Sequence, residues 1–183
     1  MATRDQWIDE GLAALSAEGI AGVRIDRLAT RLGVTQGSFH HHFSGKADYQ
    51  HALLQRYEAD EHRTIATAVA AVSDLPASEA LTALPRHARI DLRLDAAIRG
   101  WAVESDQARD VLCRVDKARL DTLITLWRRV LRDPHRARIA ALIPHLIIVG
   151  ASLALPSPSP SELQEIFELL AAIAPAVSTT GDE

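Results

Sequence analysis

Apolar residues recur along this chain at spacings of three and four and seldom alternate with polar ones, so the pattern predicts helices from end to end. No Asn-Gly or Asp-Gly hairpin turn interrupts it. Thr3 is placed to cap a first helix, with Gln6 reaching back to it three residues on, and Ile8, Leu12 and Leu15 then share one face. Gly19 and Gly22 end that helix. Ile25, Leu28, Ala29 and Leu32 mark a short second helix that Gly33 stops. Thr35 is the expected N-cap of a third, running through Gln36, Ser38, Phe39, His40 and His41 until Ser44-Gly45 breaks it. A fourth begins near Lys46. Residues 47–72 hold neither Pro nor Gly and grade from polar to Ala-rich, as expected of a long helix bridging two domains.

Residues 73–85 contain two prolines among small residues and read as a loop or a broken helix. Residues 91–104 and 107–131 follow as amphipathic helices. Leu92, Ala96 and Trp101 line the first; Val111, Val115, Leu123, Leu126, Trp127 and Val130 line the second. The last two helices, 136–155 and 162–174, are separated by the Pro/Ser run 156–161, with Ser161 placed as the final cap. Both are unusually apolar and need cover on most faces, which a partner subunit can supply. The fold class expected is therefore all-α, with a three-helix domain at residues 1–46, a helical domain at 47–177 and a polar tail at 178–183.

Composition narrows the classes. With 48% hydrophobic residues in 183, the chain can bury a core without covalent staples. Its 20 basic and 24 acidic residues, a net charge of -4, exclude a protein that coats nucleic acid or anionic membrane indiscriminately, so any nucleic-acid contact is local. Cys113 is the only cysteine, which excludes an intrachain disulfide and fits a reduced cytoplasm. Residues 1–7 lack the apolar run of a secretory signal. The apolar stretch 139–155 falls short of the roughly 20 residues that span a bilayer and reads as a buried helix, so no membrane partner is expected.

Two short helices joined by Gly33-Val34, apolar inside and polar at the start of the second, have the makeup of a helix-turn-helix. Residues 23–46, VRIDRLATRLGVTQGSFHHHFSGK, resemble the recognition region of the TetR family of transcriptional regulators, and the likeness extends over about residues 3–49. The segment AAIRGWAVESDQARDVLCRVDKARLDTL looks like the ligand domain of one subgroup. The resemblance implies a homodimeric repressor that holds a double-stranded DNA operator and is released by a small-molecule effector. One departure stands out: His40 occupies the position of a tyrosine that in the family bonds a DNA phosphate. Histidine can donate to phosphate too, with a pH dependence that a phenol lacks.

The residues support roles of their own. Thr35 and Gln36 stand at a helix N-terminus, which favours phosphate through its free amides. Gln36 can read adenine bidentately and Ser38 several base edges, while Gly37 removes a side chain where the helix approaches the groove. Phe39 and Phe43 are expected to face inward against Leu12, Leu15, Leu28 and Leu32. Lys46 suits a phosphate clamp, and Arg24, His40 and His41 complete the candidate DNA-binding set. Arg24, Arg27, Arg31 and Lys46 against Asp26 leave three net positive charges in residues 23–46 of an acidic chain. So small a patch implies few phosphate contacts per subunit and reliance on a dimer.

In the second domain, Trp101, Cys113, Trp127 and His145 are candidate walls of a pocket for a mostly apolar effector, and neither tryptophan falls near the helix-turn-helix in sequence. Core packing is the plainer reading of each. The candidate dimer interface comprises Leu142, Ile143, Leu146, Ile147, Ile166, Leu169, Leu170 and Ile173. His40-His41-His42 is not read as a metal site, because consecutive helical positions point about 100° apart. With no phosphate loop, nucleophile elbow or paired histidines, neither catalysis nor a cofactor is expected. The alternative reading is a helical small-molecule-binding or interaction protein that has lost specific DNA binding.

Overall fold

The computed structural model describes residues 2–179, with side chains through residue 170. Its elements are α-helices joined by short turns and two 3₁₀ pieces: α1 (Arg4–Glu18), α2 (Ile25–Arg31), α3 (Lys46–Val72), α4 (Ala77–His87), α5 (Leu92–Glu104), α6 (Asp106–Trp127), α7 (Pro134–Leu153) and α8 (Pro160–Thr179), with 3₁₀ helices at Ile20–Gly22 and Gln36–His41. The all-α class expected from the spacing is the one observed.

Local chemistry explains most boundaries. The capping box at Thr3 is present, the Gln6 amide donating to Thr3 Oγ1 while the Thr3 amide donates to Gln6 Oε1 at 2.8 Å. Gly33, at φ 65°, closes α2 in a Schellman motif: Val34 N–H donates to Ala29 O at 3.0 Å and Gly33 N–H to Thr30 O at 3.2 Å. Asp91 caps α5, and Asp133 followed by Pro134 starts α7.

Several sequence expectations need correction. Residues 36–41 form a 3₁₀ rather than an α-helix, and Thr35 makes no side-chain capping bond. In the stretch 73–85, read as a loop or a broken helix, residues from 77 on belong to α4, which runs unbroken to His87; Pro85 lies in its last turn, and Ala80 and Leu84 bury against Ala68, Val72 and Leu126. Helix α6 stops at Trp127, its last amides turning to bonds such as Val130 N–H to Trp127 O at 3.0 Å. The cap of α8 is Ser159 rather than Ser161, because Glu162 stands three residues after Ser159 and exchanges bonds with it. The helix continues through Thr179, past the expected end at 174.

The chain forms two compact units: residues 1–61 with 91–115, and residues 62–90 with 116–183. In the first, α1 packs against α5, and one core joins Trp7, Leu15, Leu28, Phe39, Phe43, Tyr49, Leu53, Tyr57, Ile98 and Trp101. Gly11 is required there, since a Cβ would clash with the Tyr49 hydroxyl and lie 2.8 Å from Leu53 Cδ2. In the second unit α4 packs against α8, and Arg86 pairs with Glu168 at 2.9 Å.

Helix α7 begins earlier than expected and reaches 20 residues, so among the described residues it is the one helix long and apolar enough, by length and composition, to cross a membrane. Nor is it buried all round. Ala137, Ala140, Ala141, Ala151 and Ser152 face inward, while Ile139, Ile143, Leu146 and Leu153 lie exposed.

Candidate nucleic-acid interface

The 3₁₀ helix Gln36–His41 sits on an aromatic cluster. Phe39 meets Trp7 edge-on at 5.4 Å and Tyr49 at 5.3 Å, and Phe43 meets Tyr49 at 4.8 Å. Trp7, Phe39, Phe43 and Tyr49 are all buried, so the inward orientation expected of the two phenylalanines holds. Trp7 and Tyr49 were missed in the sequence, although Trp7 lies one residue before the apolar face of α1. The Tyr49 hydroxyl donates to Trp7 O at 2.5 Å, and burial pushes its ionisation well above the ordinary phenol range, with Glu10 adding to the shift. Edge-to-face packing of this kind holds a short helix that is too brief to be stable alone.

Outward from the cluster, Thr35, Gln36, Gly37, His40 and His41 form an exposed rim, and Lys46 is exposed at the start of α3. Ser38 departs from expectation: it is 8% exposed, and its buried Oγ has no hydrogen-bond partner. Its burial sets it apart from the exposed Gln36. The nearest neighbour to a Cβ on Gly37 would be Thr35 Oγ1 at 3.7 Å. The chain's own packing thus places no demand for glycine there. Ser44 N–H donates to Asp48 Oδ2 at 2.9 Å, which holds the Asp48 carboxyl below its usual range and fixes the entry into α3 beside Lys46.

The local charge also differs from its sum along the sequence. Arg24 pairs with Asp26 at 2.9 Å, the bond lowering the ionisation of the Asp26 carboxyl. Arg27 pairs with Glu18 at 2.9 Å, and Arg31 with Glu18 at 2.7 Å and Glu10 at 3.3 Å. Glu10 and Glu18 lie on α1, outside residues 23–46. These exposed pairs are weak and screened by salt, so the arginines can exchange a carboxylate for a phosphate.

The candidate pocket residues are not one cluster. Trp101 is buried in the same core as the helix-turn-helix residues, contrary to the expectation from its distance in sequence. Cys113 is exposed. Trp127 and His145 belong to the second unit, where Trp127 packs beside Leu131, Ala137 and Ala140 and its buried indole N–H has no acceptor among the described residues. Of the candidate interface positions, Ile143, Leu146, Ile166 and Leu169 are exposed, while Leu142, Ile147 and Leu170 are half-buried. Ile173 lies outside the residues whose side chains are described. Among the described residues no group of three metal-ligating side chains converges.

Comparison with known proteins agrees with this geometry. Residues 7–52 match the family model described as bacterial regulatory proteins, tetR family. Over 52 residues the chain is 36% identical to the HTH-type transcriptional regulator SrpR of Pseudomonas putida, an alignment covering 28% of this chain and 24% of SrpR. It is equally similar, at 36% over 52 residues, to the uncharacterized HTH-type transcriptional regulator TtgW, also of Pseudomonas putida, covering 28% of this chain and 39% of TtgW. The alignments thus take in well under half of either relative. The fold of SCO4454, a TetR-family transcriptional regulator from Streptomyces coelicolor, superposes with a TM-score of 0.78 at 21% identity, over 96% of this chain and 95% of that one. Residues 7–52 thus match the helix-turn-helix region of the tetR family of bacterial regulatory proteins, and the fold of the chain is that of SCO4454.

Proposed function

We propose that the chain is a sequence-specific DNA-binding transcriptional regulator of the cytoplasm, a homodimeric repressor that a mostly apolar small molecule releases from its operator. The observation that carries the reading is the exposed rim of Thr35, Gln36, Gly37, His40 and His41, set on a fully buried aromatic base within the family-matching segment. A rim of polar side chains on a rigid base can enter a major groove with its register fixed. Gln36 reads a base, Lys46, Thr35, His40 and His41 bond phosphates, and Arg24 trades Asp26 for a phosphate. Ser38 has no part in base readout.

Gly37 supplies the sharpest test, because nothing in the chain requires it. Gly37→Ala is expected to leave thermal unfolding unchanged and to weaken binding to a duplex selected from random DNA at least tenfold, about 1.4 kcal/mol. Gln36→Ala is expected to cost roughly 1–3 kcal/mol, concentrated at particular base pairs. Lys46→Ala weakens all sequences alike and lowers the salt slope by about one. Identical binding profiles for the three variants, or an unaffected Gly37→Ala, would contradict the reading.

The unsatisfied Trp127 indole N–H supports an effector site in the second unit, since a buried donor without an acceptor is a cost that a ligand can relieve. His145 is proposed beside it. Trp101, a member of the DNA-binding core, and the exposed Cys113 are not. An effector found by thermal-shift screening of apolar compounds that carry one acceptor is expected to lower operator affinity by roughly 1–3 kcal/mol of coupling. Trp127→Phe, which keeps the ring and removes the donor, should lose most of that response with DNA binding intact. A full response in Trp127→Phe rules this residue out.

A further inference from the structure

The first described residues are tied down. His42 closes the 3₁₀ helix, and its Nε2 lies 2.8 Å from the carbonyl oxygen of Ala2, forty residues away in the chain. A carbonyl oxygen only accepts, so Nε2 carries the hydrogen and His42 is the donor. Ala2 is buried, Thr3 completes the capping box, and Arg4 begins α1 with its guanidinium carbon 5.2 Å over the Phe43 ring. Phe43 in turn is buried against Phe39 and Tyr49. Residues 2–4 are thus strapped across the end of the recognition helix by a hydrogen bond, a cap and a ring contact.

The strap holds a cation outside any ion pair, with the Asp48 carboxylate facing it only at longer range. Arg24, Arg27 and Arg31 all face carboxylates at 2.7–3.3 Å, whereas Arg4, among the described residues, forms no ion pair and rests on an aromatic face. A guanidinium held over a ring face spends no N–H donor on a carboxylate, which leaves its donors for bidentate phosphate binding. Its ring partner Phe43 lies in the short segment between His41 and Lys46, two residues already assigned to phosphate. We propose that Arg4 is a further phosphate contact of the DNA interface and that His42 is the positioning residue that holds it there. The proposal rests on the DNA-binding reading above, and adds to it a cation from outside the helix-turn-helix motif.

The test uses the full chain and a duplex recovered by selection with the wild-type protein, its affinity measured over a salt series. Arg4→Ala is expected to lower the slope of log K against log salt by about one, the loss of one phosphate contact. His42→Ala is expected to lower it equally, and to have no further effect in the Arg4→Ala background, because it acts through Arg4. His42→Gln keeps an N–H donor and is expected to restore the slope, which a role in folding alone would not predict. An unchanged slope in Arg4→Ala, or additive losses in the double variant, overturns the proposal; if Lys46→Ala still lowers the slope, the DNA-binding reading survives. A chain that enriches no duplex overturns both. Should His42→Ala not fold, the exposed Arg4→Ala variant decides alone.

Discussion

Leu146→Asp is expected to convert the proposed dimer into monomers at micromolar concentration, raising its dissociation constant at least a hundredfold, roughly 2.7 kcal/mol. Ile139, Ile143, Leu146, Gly150 and Leu153 recur along α7 at alternating steps of four and three, the seam of a helix that packs lengthwise on another. The four side chains of that seam are exposed, Leu146 by 60%, and a Cβ at Gly150 would meet nothing within 4 Å, so a second helix can approach closely there. On α8, Leu169 is 66% exposed. Each such side chain covered contributes about 1.5–3 kcal/mol, whereas a carboxylate placed among them would be desolvated without a partner.

Sedimentation velocity checks the outcome, and operator affinity should fall with it, because one head offers few phosphate contacts. Ile147→Asp is the informative contrast. Ile147 is half-buried on α7, so its replacement attacks the interior of the subunit and is expected to reduce the yield of folded protein as well. A Leu146→Asp protein that sediments with the wild type, or a wild type that is already monomeric, would remove α7 from the interface. In the second case the apolar seam of α7 would need another occupant, and its length and composition make a membrane the next one to test.

The helices were legible in the sequence wherever one residue type decided the backbone: Thr3 with Gln6 at one end of α1, Gly33 after α2. Legibility failed where a tertiary partner decided. The two prolines of residues 73–85 suggested a loop or a broken helix, but Ala80 and Leu84 bury enough surface to hold a helix through Pro85. The basic patch was overestimated because Glu10 and Glu18, on another helix, neutralise Arg27 and Arg31. Ser38 reads as polar and therefore outward, yet in a 3₁₀ helix it turns inward beside Phe39. The place of Trp101 in the same core as the helix-turn-helix follows from α5 packing on α1, which no local pattern announces. One signal was available and passed over: Asp95 stands on the same helical face as Ile98 and Ala102, an acid in an apolar stripe.

That acid carries the largest single-residue loss of stability expected in the chain. Asp95 is fully buried; it accepts the Tyr57 hydroxyl at 3.1 Å and Arg99 Nε at 2.7 Å. Removing the charge of one member of a buried pair takes from the other its bond at 2.7 Å in a poorly solvated site, at a cost of about 3–5 kcal/mol. Against a total stability of about 5–15 kcal/mol for an ordinary domain, Asp95→Asn should move the urea midpoint far and leave part of the protein unfolded when warmed. Because α5 packs on α1 within one core, DNA binding is expected to fail along with folding rather than independently of it. Tyr57→Phe, which removes a single neutral donor, should cost only about 0.5–1.5 kcal/mol. The decisive comparison is Asp95→Leu combined with Arg99→Leu, in which both charges leave together. If the loss in Asp95→Asn comes from the stranded charge, the double variant will be the more stable of the two; if it is equally unstable, the carboxylate serves the fold through its hydrogen bonds instead.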